Sequence, residues 1–196
     1  MSSIKKREAE LVERFIATFE KLGEMRAVKE LDPVAWELAF GDPHPRLGHK
    51  HWRPIRVDTS SEYLEPIYAK LPARFPPLYE RLVLSYRWAE IDLELFTLLA
   101  NPPGFDLSRL SAGILNIGPL STFLVQRGYI QFGKGSGGDY DPVCFDVSSR
   151  KKNRDRRIVQ IDHEEILCNY RLKIVAELAP SFDNLVLQTI ERAENL

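Results

Sequence analysis

The sequence predicts an α+β fold, an antiparallel meander sheet packed by helices and preceded by a helical N-terminal extension. Three observations carry this. Residues 3–22 repeat apolar side chains (Ile4, Leu11, Val12, Phe15, Ile16, Phe19, Leu22) at three- and four-residue spacing, the period of an amphipathic helix. Residues 129–161 hold three short apolar runs separated by a glycine-rich turn and a polar loop, the pattern of a meander. Asp162 and Ser181, residues suited to helix N-caps, then open two closing helices.

Taken in order, the first helix can be capped by Ser2 or Ser3 and stopped by Gly23. Its apolar stripe must bury against the protein's own core or a partner. Asp32 and Pro33 open a short helix carrying Val34, Trp36 and Leu38, closed by Gly41, Asp42 and Pro43. The segment GDPHPRLGHKHWRP reads as a loop, and a second short helix is expected at 61–69. Pro76 and Pro77 start a helix whose apolar face is Leu78, Leu82 and Tyr86. Residues 90–97 alternate with period two and predict a strand. A short helix is expected from Pro119 to Gly128, with strands at 129–132, 142–147 and 157–161. A polar hairpin loop covers 150–157, and helices follow at 163–170 and from Ser181 onward, with Phe182, Leu185, Val186 and Ile190 as the last apolar face.

Composition narrows the function classes. With 196 residues, 44% of them apolar, the chain is long enough for one core, and such a chain buries roughly 70% of its extended surface. One domain at 71–196 with a helical extension at 1–70 is therefore expected. The 27 basic and 28 acidic residues nearly cancel, so there is no bulk field to attract nucleic acid or anionic lipid. No apolar run approaches the ~20 residues of a bilayer span, and the N-terminal residues lack the apolar stretch of a signal peptide. A soluble, cytoplasmic protein is expected. Cys144 and Cys168 form no CxxC pair and read as small buried hydrophobes.

Four segments could carry chemistry. GKGSGG at 133–138 fits G-x-G-x-x-G, but a dinucleotide site needs a helix after the glycines, and here a strand follows. A flexible hairpin turn is the expectation. His49 and His51 have a spacing that can place two imidazoles on one metal ion, with His44 close by and His163 and Glu164 remote in sequence. Nothing in the sequence joins these segments, so a solvated loop is expected and neither metal nor other cofactor is assigned. Asp139, Asp141 and Asp146 surround Tyr140 on the turn and the following strand. Such carboxylates can serve acid–base work or hold a hard cation, but no nucleophile accompanies them, and a tight turn selects Asp and Gly anyway. A partner-binding acidic edge fits them better than a catalytic site. RKKNRDRR at 150–157 carries six basic residues against one acid; without interleaved aromatics it reads as a solvated tip, and nucleic acid is not the expected partner.

The run YIQFGKGSGGDYDPVCFDVSSRKKNRDRRIVQIDHEEIL, followed by KIVAELAPSFDNLVLQTI, resembles the SUKH superfamily, the Smi/Knr-type domain. The shared features are a strand ending in Phe132 and Gly133, a glycine-rich turn, Gly138 and Asp139, and a strand ending at Asp146. A strand running into Asp162, His163 and Glu164, then Ser181 and Phe182 opening the last helix, complete them. Leu71 and Pro72 followed by a helix match the family's usual opening. The resemblance spans roughly residues 71–192, without a catalytic signature; Arg87, Trp88 and Ala89 stand where a glycine is common. It implies a non-enzymatic protein-binding domain. Bacterial members are commonly immunity proteins that bind and neutralise a secreted polymorphic toxin, often a nuclease, and eukaryotic members act as regulatory scaffolds. Asp139, Tyr140 and Asp141, an aromatic anchor between two acids, are the expected contact with a protein partner. Two rivals remain: a regulatory scaffold of the same fold docking through helix 3–22, and a metal-dependent hydrolase built from His49, His51, Asp139 and Asp141.

Overall fold

The computed structural model of the protein describes residues 3–104, 106–116, 118–148 and 156–196. The first helix forms as expected, α1 (Ser3–Leu22); the caps expected of Ser2 or Ser3 fall on side chains outside the described set. A small three-stranded sheet follows, β1 (Arg26–Ala27), β2 (Ala39–Phe40) and β3 (Lys50–Trp52), with β3 in the centre. Between β1 and β2 lies α2 (Pro33–Glu37), whose first turn is capped by Asp32 Oδ1 accepting from the Ala35 amide at 2.9 Å. The helix expected at 61–69 divides into a 3₁₀ turn (Ser61–Leu64) and α3 (Glu65–Tyr68), preceded by β4 (Ile55–Arg56).

The second half is built on α4 (Pro77–Ser85) and a six-stranded antiparallel sheet. After β5 (Tyr86–Arg87), which pairs with β4, come β6 (Ile91–Asp92), β7 (Thr97–Leu98), α5 (Ser108–Leu115), α6 (Pro119–Gln126), β8 (Tyr129–Lys134) and β9 (Pro142–Asp146). The chain ends with β10 (Ile158–Ile161), α7 (His163–Asn169), β11 (Ile174–Ala179) and α8 (Phe182–Glu194). Strands β6 to β11 lie side by side in chain order, a meander throughout.

Both faces of this sheet are covered, which is why its central strands read as almost unbroken apolar runs. Ile130 and Phe132 of β8 and Val143 and Phe145 of β9 face α4, α8 and α1; Cys144 of β9, Val159 and Ile161 of β10 face α6 and α7. The stripe of α1 belongs to the first of these cores: Val12, Phe15 and Phe19 are at most 3% exposed. That face is closed in by α4 and α8, so it offers no docking surface.

Several expectations are corrected. Residues 90–97 do not form one strand but a tight hairpin of β6 and β7. Asp92 Oδ1 accepts from the Glu94 amide at 2.9 Å, and Glu94 turns to a φ of 65°. Alternation misleads here because a turn that buries Leu93 and Phe96 gives the same pattern. Helix α5 and strand β11 carried no clear periodicity. β11 is an edge strand, largely exposed, with two register shifts against β10; such bulges blunt an edge against further pairing. Cys168 is exposed on α7 rather than buried, whereas Cys144 is buried and its thiol is pushed up by burial and by Asp146. The tip of the polar hairpin, 149–155, lies outside the described residues.

The C-terminus of α4 is closed from inside. Arg87, 2% exposed, donates from Nη1 to the Val83 and Tyr86 carbonyls at 2.8 and 3.2 Å and from Nη2 to Thr59 Oγ1 at 2.7 Å. Asn101 Nδ2 donates to the same two carbonyls at 3.0 and 2.7 Å. A cation at this end also meets the negative pole of the helix. Tyr79, on the same helix, is wholly buried among rings, and its hydroxyl has no hydrogen-bond partner among the described residues. Leaving a buried hydroxyl unpaired costs about 1–3 kcal/mol. Tyr79→Phe is therefore expected to raise unfolding stability by about 1 kcal/mol, read as a higher urea midpoint at unchanged m; a loss of stability would mean that the hydroxyl has a partner.

Candidate functional site

The glycine-rich turn between β8 and β9 is a fixed corner and not the flexible loop expected of its composition. Gly135 closes it through its amide, which donates to the Asp141 carbonyl at 2.9 Å, and through its carbonyl, which accepts from Thr97 Oγ1 at 3.2 Å. On one flank Asp92 accepts from Ser136 Oγ at 2.8 Å and from the Gly137 amide at 2.7 Å. On the other, Asp139 Oδ2 accepts from Gln160 Nε2 at 2.7 Å, and Asp139 Oδ1 accepts from the Asp141 amide at 2.9 Å. Two glycines are required sterically. A Cβ on Gly135 would lie 2.4 Å from Asp139 Oδ2, and one on Gly133 would lie 2.8 Å from the Thr97 carbonyl of the neighbouring strand.

Asp141 ties the corner to α7. Its Oδ1 accepts from the His163 amide at 2.9 Å and sits 2.6 Å from His163 Nδ1. A carboxylate has no proton to give, so Nδ1–H donates. α7 itself starts where Asp162 Oδ1 accepts from the Glu165 amide at 2.9 Å, while Asp162 Oδ2 accepts from Lys173 Nζ at 2.9 Å. That lysine, with the backbone amides, holds the Asp162 carboxyl below the usual carboxylate range.

The structure thus brings together residues that the sequence kept apart. Among the described residues, the one set of three potential metal ligands with all ligand atoms within 4.8 Å is Asp139, Asp141 and His163, not the His49, His51, Asp139 and Asp141 set of the hydrolase reading. Three of the four carboxylate oxygens of this set already accept from protein donors, which is what a structural clamp requires and leaves little free capacity for a cation. His163, Gln160 and Asp92 were not singled out from the sequence as parts of the turn. The capped helix start at Asp162 was the signal that could have pointed to His163.

Tyr140, between Asp139 and Asp141, is 68% exposed. Its ring stands edge-on to His163 with centroids 6.3 Å apart, and Lys134 Nζ lies 5.6 Å from its centre. Lys134 is paired with Glu90 at 2.6 Å. Asp139 and Glu164 are exposed. The corner therefore presents an aromatic side chain on a backbone that is hydrogen bonded along both flanks, with acidic groups around it.

Asp146 has a separate, structural task. Buried at the end of β9, it accepts from the Ser148 amide and hydroxyl at 3.0 and 2.6 Å and from Arg157 Nε at 2.7 Å. Arg157 also reaches Glu177 at 3.2 Å, which joins β9, β10 and β11. The remaining histidines lie elsewhere: the His44 and His49 rings are stacked with centroids 5.1 Å apart, and His49 meets His51 edge-on at 5.9 Å. Partial burial, Arg26 and the two other imidazoles hold the His49 pKa below the ordinary histidine value.

In comparisons with protein-family models, curated proteins and solved structures, no match to the chain was found. Among the described residues no helix is long and apolar enough to cross a membrane.

Two outcomes follow from these contacts. Gly135→Ala drives a methyl into the Asp139 carboxylate, so a loss of about 1–3 kcal/mol is expected, measured by denaturant unfolding; an unchanged midpoint would show that the turn yields freely. For Asp146, burial pushes the carboxyl up, but the Ser148 and Arg157 hydrogen bonds outweigh it and hold the pKa below the usual value. A depressed folded pKa stabilises above the unfolded value of about 3.9, and that stabilisation is lost as pH falls through the folded value. Arg157→Gln lifts the folded pKa, so acid unfolding should begin at higher pH than in the wild type, with about 1.5–3 kcal/mol lost at pH 7. Coincident acid-unfolding curves would refute the pairing.

Proposed function

We propose that the protein is a non-enzymatic binding domain that recognises a protein partner through the Asp139–Tyr140–Asp141 corner, in the manner of an immunity protein bound to a nuclease-type toxin. The observation that carries this is the exposure of Tyr140 on a turn hydrogen bonded along both flanks. Binding energy concentrates in aromatic anchors that fill a pocket on the partner, and an anchor already held in place loses little entropy on docking. The surrounding carboxylates suit a cationic partner, whose encounter they would steer. The SUKH resemblance supports the same reading, since immunity is common among bacterial members. A regulatory scaffold of that fold would use the same surface, because the apolar stripe of α1 is closed in by α4 and α8.

The test is capture of partners from source-cell lysate, with affinities then measured on the purified pair. Wild type should retain one stoichiometric protein, and Tyr140→Ala, which removes none of the hydrogen bonds that hold the corner, should weaken that pair about thirtyfold, the loss of roughly 2 kcal/mol expected of an anchor. A partner whose nuclease activity is blocked one-to-one establishes immunity, and a partner without toxic activity selects the scaffold. Full affinity in Tyr140→Ala would place the contact elsewhere.

A further inference from the structure

The small N-terminal sheet buries one face and exposes the other. Ala27, Ala39 and Trp52 turn to the core, where Ala27 and Trp52 are at most 1% exposed. The pairing of β3 with its two neighbours sets Arg26 of β1, His51 of β3 and Phe40 of β2 directly opposite one another, and directly opposed residues share a face. The outer face therefore carries a cation, an imidazole and a phenyl ring in a row about 10 Å long, two strand spacings. All three side chains are exposed. The Arg53 guanidinium lies over the Phe40 ring, 5.0 Å from its centre. Two clefts, of about 360 and 520 Å³, share Phe40 and Arg53 in their walls. Beyond His51 the His44 and His49 rings are stacked, 10° from parallel.

We propose that this face binds single-stranded nucleic acid, with bases stacked on Phe40 and the outer imidazoles and with phosphates held by the arginines. Charge supplies the first argument. The chain as a whole is close to neutral, yet residues 40–56 hold Arg46, Lys50, Arg53, Arg56 and three histidines against Asp42 alone. Arg56 is paired with Glu13 at 3.3 Å and Arg26 with Glu24 at 3.0 Å. Arg46, Lys50 and Arg53 have no carboxylate partner among the described residues, so their charge is open to phosphates. Glu20 and Glu24 line the smaller cleft and repel phosphate there. The larger cleft suits it better: its one acid, Glu37, is paired with Arg109 at 2.6 Å, and Arg53 and Arg56 stand in its wall. Shape supplies the second argument. An acidic peptide needs cations only, whereas flat rings beside unpaired cations serve successive bases and phosphates together. An arginine laid over a phenyl ring extends that platform, because a planar guanidinium also stacks on bases. A duplex keeps its bases stacked on one another and cannot use these rings.

A fluorescently labelled single strand of about 12 mixed nucleotides, titrated with the full chain and followed by anisotropy between about 50 and 200 mM salt, tests this. Saturable binding that weakens steeply with salt is expected. Phe40→Ala should weaken it about tenfold at an unchanged salt slope, and Arg53→Gln should lower the slope by about 0.7, the loss of one phosphate contact. Both side chains are exposed, so the variants keep the fold; unchanged urea midpoints confirm it. A duplex of the same sequence should bind at least about tenfold more weakly. Absence of binding at about 100 µM protein in the lowest salt overturns the proposal. So does a duplex or a polyglutamate held as tightly as the single strand, the mark of a surface that reads charge alone. Binding that survives Phe40→Ala and Arg53→Gln but is lost in Lys151→Gln/Lys152→Gln overturns it as well, by moving the contact to the polar hairpin.

Discussion

Phe182 is the residue through which the two ends of the chain and the sheet between them are held together. Its ring stands edge-on to Phe15 of α1, Tyr79 of α4, Phe132 of β8 and Phe145 of β9, with centroids 5.3–6.4 Å apart. Edge-to-face pairs of this kind add about 0.5–1.5 kcal/mol each to the burial of the rings themselves. α8 follows the edge strand β11, and α1 begins the chain, so a single ring ties residues that are far apart in sequence. Around it, Leu185, Val186 and Ile190 of α8 and Leu78 and Leu82 of α4 complete the apolar layer on which the stripe of α1 and one face of the meander rest.

The same packing runs up to the corner at 133–141. Phe132 and Phe145 stack at 4.2 Å across β8 and β9, beside the irregularity between Gln131 and Gly133 at which the register of these strands shifts just before the turn. Gly133 and Gly135 then let β7 and the Asp139 carboxylate approach closely. The third layer, α6 and α7 on the opposite face, positions His163 to receive Asp141. Tyr140 is left exposed beside them, 68% open to solvent.

The N-terminal third adds a different element. Its short strands contribute Ala27 and Trp52 to the main core while turning the histidines outward. Trp52 of β3 is buried there, and His51 beside it on the same strand is exposed.

Much of this was legible in the residues. The 3.6-residue stripe of α1, the caps Asp32, Asp162 and Ser181, the proline starts of α4 and α6 and the apolar runs of β8 to β10 each encode local structure through local chemistry. The hairpin of β6 and β7, helix α5 and the edge strand β11 were not legible, because their conformations depend on partners: Asp92 turns a chain that alternates like a strand, and a doubly bulged edge needs no alternation. The candidate corner was legible as a composition, Asp and Tyr within glycines. Its rigidity was not, since Gln160, His163 and Asp92 come from three other segments. What the sequence by itself determined is the elements with a local period or cap and which face of each is apolar, because those follow from propensity and period. The tertiary structure alone decided which polar side chains meet, His163 with Asp141 and His44 with His49 and His51, because hydrogen bonds and ring contacts between segments exist only after the core has fixed the distances between them.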